Sequence, residues 1–224
     1  MSLSLGSTAI GSLYLGSTKV GEAYLGGTKV YASTPVDPYN PLNLPQFTIR
    51  ARFASGYTPT MGSSQTLVDA ATNTWDIDEH YGNIDGLFTG NTSLIEILGA
   101  NTTGAMGVAG MFSNCTSLQR VAPFDTRAFY MFDNMFAGCS SLVNVPLFNM
   151  SGTTTGGFGY PSVNNMFQGC TAVESGALGL YNHLSSVFPS TGFHSNCFTD
   201  CGSGTVTGRA ELAQIPTDWG GTMS

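Results

Sequence analysis

Hydrophobic and polar positions alternate along this chain in one returning phrase. An apolar pair is followed by two small or polar residues, a Cys, a small polar pair and an aliphatic residue. It reads Met111-Phe112-Ser113-Asn114-Cys115-Thr116-Ser117-Leu118, then Met135-Phe136-Ala137-Gly138-Cys139-Ser140-Ser141-Leu142, then Met166-Phe167-Gln168-Gly169-Cys170-Thr171-Ala172-Val173. A degenerate first copy is Leu87-Phe88-Thr89-Gly90-Asn91-Thr92-Ser93-Leu94, and a worn last copy is Cys197-Phe198-Thr199-Asp200-Cys201. The steps between Phe88, Phe112, Phe136, Phe167 and Phe198 are 24, 24, 31 and 31 residues. Short apolar stretches at 94–98, 118–121 and 142–145 predict parallel strands stacked from one copy to the next. The Met-Phe segments predict a short helix or 3₁₀ turn. Met131, Phe132, Met135 and Phe136 fall at i, i+1, i+4 and i+5, an apolar stripe on one helical face. A single turn cannot bury such a stripe, so neighbouring turns must cover each other and the ends need caps.

Repeats of about 20–29 residues with one short strand each are the mark of a leucine-rich-repeat solenoid, the longer steps being loops inserted into equivalent turns. The fold expected is mainly β with short helices: a leucine-rich-repeat solenoid at 81–174, capped at both ends and preceded by a short-strand β-repeat ribbon. The N-terminal cap is a small β unit at 47–80. Residues 47–53 alternate strictly, and 66–68 and 74–77 supply partner strands. The C-terminal cap is 175–224, with helical periodicity at 177–184 and apolar residues at 212–219. The ribbon, residues 1–32, has a period of ten that aligns Leu5, Leu15 and Leu25, and likewise Gly6, Gly16 and Gly26. Such very short strands joined by tight turns bury little and want a partner surface. Leu5, Tyr14, Leu15, Tyr24, Leu25 and Val30 are the docking or oligomerisation candidates; the alternative is a meander folded back on the chain. Residues 33–46, with Pro35, Pro38, Pro41 and Pro45, read as a semi-rigid linker.

Composition narrows the partners. Charged residues make up only 9% of the chain, against roughly 25% in average domains. Their place is taken by 29 Gly and by Ser, Thr and Asn, which suits turn-rich structure. A net charge of −7, with basic residues scattered from Lys19 to Arg209, argues against nucleic acid. No apolar run approaches the roughly 18–20 residues of a membrane span. Met1-Ser2-Leu3-Ser4-Leu5 lacks the basic start of a signal peptide, so synthesis in the cytoplasm without an export signal is expected.

The five Cys are 115, 139, 170, 197 and 201. Three share one repeat slot and read as a buried ladder of small, soft side chains. His183, His194, Cys197 and Cys201 are the sharper metal alternative, but they lack a paired Cys-x-x-Cys. Asp76, Asp78 and Glu79 lack the Gly and distal Glu of a calcium loop and read as a solvated turn.

No nucleophile elbow, zinc-protease helix or phosphate loop is present, so the chain is read as non-enzymatic and without cofactor. Carboxylate pairs set by folding stay open. Binding candidates come from three places. Glu96, Arg120 and Asn144 each stand two residues after the aliphatic anchor; in register they form a polar row with Glu96 beside Arg120. The turn at 125–130 offers Asp125, Arg127 and Tyr130. The inserted loop at 149–163 offers Phe158 and Tyr160, and loops on a rigid scaffold commonly carry binding.

The Met-Phe-x-x-Cys-[Thr/Ser]-Ser-Leu phrase, followed by residues 121–126 or by Val145-Pro146-Leu147-Phe148-Asn149, resembles the BspA-like leucine-rich repeats of bacterial and protozoan surface proteins. The layout is similar to a group encoded in Bacteroidetes phages and prophages. The shared segments are the ribbon copy at 24–30, the Pro-Tyr-Asn-Pro-Leu-Asn-Leu-Pro run at 38–45, Leu-Gly-Ala-Asn-Thr-Thr-Gly at 98–104 and the ending at 211–219. The family's usual linker is replaced here by Asp125-Thr126-Arg127-Ala128-Phe129-Tyr130-Met131. The resemblance implies a virion structural protein, a head fibre or tail appendage. It would dock to other virion proteins through 1–32, form a homo-oligomer (a trimer by analogy with fibres) and attach to bacterial surface glycan or protein. The alternatives are a free or cell-surface adhesin and, further off, a polysaccharide depolymerase.

Overall fold

The computed structural model describes residues 13–15, 18–20, 22–25, 28–32, 40–105, 107–127, 129, 131–146, 148, 162–187 and 193–223. The chain divides into two compact units, Met1–Pro38 and Tyr39–Ser224.

Among its described residues the first unit holds two antiparallel hairpins. Strand β1 (Leu13–Leu15) pairs with β2 (Thr18–Val20), and β3 (Glu22–Leu25) with β4 (Thr28–Ala32). Each pair is its own two-stranded sheet. The Gly-Ser and Gly-Gly dipeptides between the strands leave just two residues for each connection, which suits tight hairpin turns.

The second unit opens with a five-stranded mixed sheet in the order β6-β7-β5-β8-β9. Its strands are β5 (Thr48–Phe53), β6 (Ser64–Asp69), β7 (Thr74–Asp78), β8 (Leu94–Ala100) and β9 (Arg120–Val121). All pairs are antiparallel except β8–β9, which is parallel. The small β unit at 47–80 thus shares one sheet with the first strand of the repeats. Its central strand β5 pairs on one side with β7 and on the other with the first strand of the repeats. Ile49, Ala51 and Phe53 are buried while Arg50 and Arg52 face outward. Residues 40–46 also belong to this unit rather than to a linker. Leu44 is buried, Asn40 bonds both its N–H and its carbonyl, and Asn101 Nδ2 bonds the same carbonyl at 2.9 Å. Residues 33–39 lie outside the described set.

The repeats build two ladders. The Met-Phe segments are not helices. The residues two before each Phe (Gly86, Gly110, Asn134, Asn165 and Asn196) and two after it (Gly90, Asn114, Gly138, Gly169 and Asp200) all have φ between 56° and 75°. Gly, Asn and Asp are the residues that tolerate this left-handed region. The alternation folds each segment into consecutive tight turns and splits its N–H groups into two sets. One set bonds within the turn, as Met111 N to Val108 O, Ser113 N to Gly110 O and Cys115 N to Phe112 O at 2.9–3.2 Å. The other donates to the next copy, as Gly110 N to Asp133 O, Phe112 N to Met135 O and Asn114 N to Ala137 O at 2.7–2.9 Å. Met131 is thus not part of an apolar stripe. It is 42% exposed and bridges Ser162, which in turn bridges Phe193.

On the strand side the parallel pairing is shorter than expected. After the seven-residue β8 and the two-residue β9, the next pairing is an isolated bridge, Asn144 to Ser175. Proline explains the shortening. Pro123 closely follows β9 and Pro146 directly follows Val145, and neither can donate to a ladder. Val143 N to Gln119 O and Glu174 N to Val143 O, at 3.1 and 2.8 Å, still keep the turns in register.

Between the ladders lies the core. Phe88, Phe112, Phe136, Phe167 and Phe198 form one column, with neighbouring ring centroids 5.0–6.1 Å apart and planes within 18°. Phe53 and Tyr57 continue it at the N-terminal end. The C-terminal end is closed by α1 (Ala177–Val187), α2 (Val206–Leu212) and a 3₁₀ turn (Thr217–Trp219). Thr205 caps α2 through Gly208 N and also bonds Val173 O. Glu211 of α2 accepts from Gly176 N and Leu178 N at the start of α1. The Trp219 carbonyl accepts the N–H of Phe198, where the next copy would otherwise stand.

Candidate functional site

The surface with the most developed chemistry is the outward face of the sheet and its continuation along the strand side. Alternation in β5 puts Arg50 and Arg52 on that face. Arg50 makes a two-pronged pair with Asp76, Nε to Oδ1 at 2.7 Å and Nη2 to Oδ2 at 2.8 Å. The Asp76 carboxylate, with smaller opposition from burial, raises the Arg50 pKa above its ordinary value. Arg52 places Nε and Nη2 on Glu96 Oε2 at 3.1 and 2.7 Å. Arg120 reaches the other oxygen, Oε1, at 3.1 Å. Glu96 and Arg120 are direct partners in the β8–β9 register. The Glu96 side chain is 14% exposed and that of Arg120 is 66% exposed. One carboxylate therefore serves two guanidinium groups.

A bulge in β8 shapes the ground beside this chain of charges. Arg52 is opposite Glu96 and Phe53 opposite Leu94, so Ile95 is the extra residue. Arg52 and Ile95, with the loops at 54–56 and 70–73, line an open groove of about 460 Å³. Farther along the row stands Asn144, whose Oδ1 accepts from Ser175 Oγ at 2.7 Å.

The turn at 125–127 carries its own ion pair. Arg127 donates from Nε and Nη2 to the two Asp125 oxygens at 2.9 and 2.8 Å, and from its backbone N–H at 3.1 Å. The Arg127 side chain holds the Asp125 carboxyl below its ordinary value of 3.8. The turn is anchored by Thr102 Oγ1, which donates to the Asp125 carbonyl at 2.6 Å, and by Phe129, which is fully buried. Tyr130, Phe158 and Tyr160 lie outside the described residues, as does Leu5. Tyr14 and Leu15 are on β1, Tyr24 and Leu25 on β3 and Val30 on β4.

All five cysteines are free and buried. The thiols of Cys115, Cys139 and Cys170 donate to the carbonyls of Phe88, Phe112 and Phe136 of the preceding copy, at 2.9–3.1 Å. Burial pushes Cys115 and Cys201 up to about 12, and Cys139, Cys170 and Cys197 are likewise raised by burial. Asn91 takes this slot in the first copy and turns its Nδ2 to the Tyr57 hydroxyl instead. Its upstream neighbour is a ring, not another copy. His194 lies flat on Trp219, centroids 4.1 Å apart. Among the described residues no group of three or more His, Cys, Asp or Glu side chains could hold a metal ion. Asp76 and Asp78 are engaged with Arg50 and His80.

Sequence reasoning brought Glu96, Arg120 and Asn144 onto one row but missed Arg50 and Arg52. The alternation of residues 48–53 was the signal that could have found them. Compared with known proteins, the chain matches no family model, no curated protein and no solved structure.

Proposed function

We propose that the second unit is a leucine-rich-repeat solenoid of the BspA-like kind and that the chain is a non-enzymatic virion protein, a head fibre or tail appendage. In this reading the hairpins of the first unit dock to other virion proteins or to further copies of the chain. The repeats present the row Glu96, Arg120, Asn144 to the bacterial surface or its glycans.

The observation that carries the reading is the division of labour along the chain. Four strands of three to five residues pair as two-stranded hairpins, and a second compact unit carries the stacked Phe column and the bonds from turn to turn. Short hairpins of that kind gain stability by pairing with a partner. A stack of interlocked turns supplies a rigid scaffold on which exposed side chains can vary.

Deletion of residues 1–38 tests it. The cut spares Leu44 and Asn40, which the second unit needs. The shortened chain is expected to keep the circular dichroism and melting of its repeats while failing to enter particles. Immunogold labelling of purified particles with antibody to 81–224 is expected to mark one fixed place on the virion. Unlabelled particles, with the protein free in the lysate, would instead support a free adhesin.

A further inference from the structure

The turn ladder runs in one direction. At each of the four junctions between copies, three alternate N–H groups of the earlier copy donate to three alternate carbonyls of the later one, at 2.7–3.0 Å. Gly86, Phe88 and Gly90 donate in this way to Ala109, Met111 and Ser113. The carbonyls of Leu87 and Thr89 match those of Met111 and Ser113 and would receive from a copy ahead of the first. The described residues hold no such copy, and among them neither carbonyl has a donor. This edge has no donors of its own to offer, because Leu87 N, Thr89 N and Asn91 N are bonded inside the turn to the carbonyls of Ile84, Gly86 and Phe88. The glycines report the same opening. A Cβ on Gly138 would meet Asn114 Oδ1, and one on Gly169 would lie 3.8 Å from Gly138, each in the copy before, whereas a Cβ on Gly90 meets nothing within 4 Å. Tyr57, Met61 and residues 87–93 line an open pocket of about 350 Å³ there, and no charged side chain is among them. At the far end the chain closes its own ladder, the Trp219 carbonyl taking the Phe198 N–H.

We propose that this open end seats a polypeptide segment of a partner protein, folded as one more turn, whose alternate backbone N–H groups donate to the Leu87 and Thr89 carbonyls. The four junctions inside the molecule show what carbonyls so arranged take. An ordinary β-strand edge offers donors and acceptors together, so some of its carbonyls would face those of Leu87 and Thr89. A turn of the repeat kind offers donors alone. It needs left-handed backbone at two residues four apart, as at Gly110 and Asn114, which selects Gly, Asn or Asp at those places. Phe53 already stands against Phe88, with ring centroids 6.4 Å apart, so the segment needs a small residue where the repeats have Phe. The uncharged lining gives an ion or a charged polymer nothing to pair with. The last repeat of a second copy does not fit the seat, since its Phe198 N–H is held by its own Trp219. The proposal concerns the second unit alone and holds whether or not the first unit docks to a virion.

The test is an NMR titration of the full isotope-labelled chain with a synthetic peptide that copies residues 108–116 with Phe112→Ala and Cys115→Ser. Saturable shifts at Tyr57, Met61 and residues 87–93 are expected. N-methylation of the peptide at positions 112 and 114 removes the two matching donors and should weaken binding roughly tenfold or more, the scale of two lost hydrogen bonds. Gly90→Asn is the variant on the protein side. Asn114 holds the same slot of the next copy at φ 58°, so the backbone accepts the change, and the new side chain enters the seat. It should weaken binding to a similar degree, with the parent's melting temperature retained. No saturable shift, an N-methylated peptide as tight as the unmodified one, or undiminished binding to Gly90→Asn would overturn the proposal. The same shifts on adding neutral dextran would also overturn it and give the seat to glycan hydroxyls. The same shifts on concentrating the chain alone would overturn it in favour of a second copy.

Discussion

Each repeat has two sides, and they obey different rules. The turn side repeats its residues: left-handed Gly, Asn or Asp flanks every Phe, a Cys follows three residues later in four of the five copies, and the Phe rings stack. The strand side shares a backbone register but not its residues: Glu96, Arg120, Asn144 and Ser175 occupy one row and are chemically unlike. The turn side is buried and must fit its neighbour on both sides, so any one copy constrains the next. The strand side meets solvent, and its register comes from backbone bonds that any side chain permits. Stability therefore resides in what recurs, and chemical variety in what meets solvent.

The sharpest way to break this contrast is the middle of the column. Phe136 stacks on both Phe112 and Phe167, at 5.2 and 5.0 Å. Phe136→Ala should cost about 3–5 kcal/mol, whereas Arg120→Ala should stay within about 0.5 kcal/mol. Denaturant titration of both measures the difference; equal losses would mean that the strand side carries stability too. Next in size is the left-handed slot. Gly138 has φ +75°, and an added Cβ would collide with Asn114 Oδ1. Gly138→Ala should therefore destabilise by about 2 kcal/mol. Asn165→Gly, at φ 56°, should be close to neutral in the same assay.

A smaller loss is expected at the thiols. Cys139→Ala removes the bond to the Phe112 carbonyl and leaves a small void, at a cost of about 1–2 kcal/mol. With the thiols raised by burial and shut from solvent, the folded chain should resist iodoacetamide at mildly alkaline pH and react only when unfolded. Rapid labelling of folded protein, read by mass spectrometry, would contradict the sealed ladder. The smallest effect is electrostatic. Arg127 depresses the Asp125 carboxyl, so the unfolded chain takes up that proton more readily than the folded one. The pair's contribution is present above about pH 3.8 and is lost as pH falls through the lower folded value. An Asp125→Asn variant should be slightly less stable than the parent at neutral pH, and the gap should close in acid.

Much of the turn side could be read in the chain itself. The steps between the Phe residues located the copies, and the shared Cys slot implied a common environment. The turns were misread as helical because Met131, Phe132, Met135 and Phe136 have helix-like spacing. The contrary signal was present in Gly110, Asn114, Asn134 and Gly138, residues that favour left-handed backbone and interrupt helices. The thiols were expected to pack; that they also donate to a neighbour's carbonyl depends on stacking geometry. The ion pairs were partly hidden for a similar reason. Arg52 and Glu96 are 44 residues apart, and a bulge at Ile95 sets their meeting.

By itself the sequence determined the repeat, its period and the columns of side chains that fill it, because these follow from local backbone preference and from apolar residues that one turn cannot bury. Tertiary structure alone decided that β5 joins the first repeat strand in one sheet, that residues 40–46 belong with the repeats and that Glu96 answers to two arginines. Those outcomes depend on which strands become neighbours and in what register. Register is a property of the assembled sheet and is not written in any one strand.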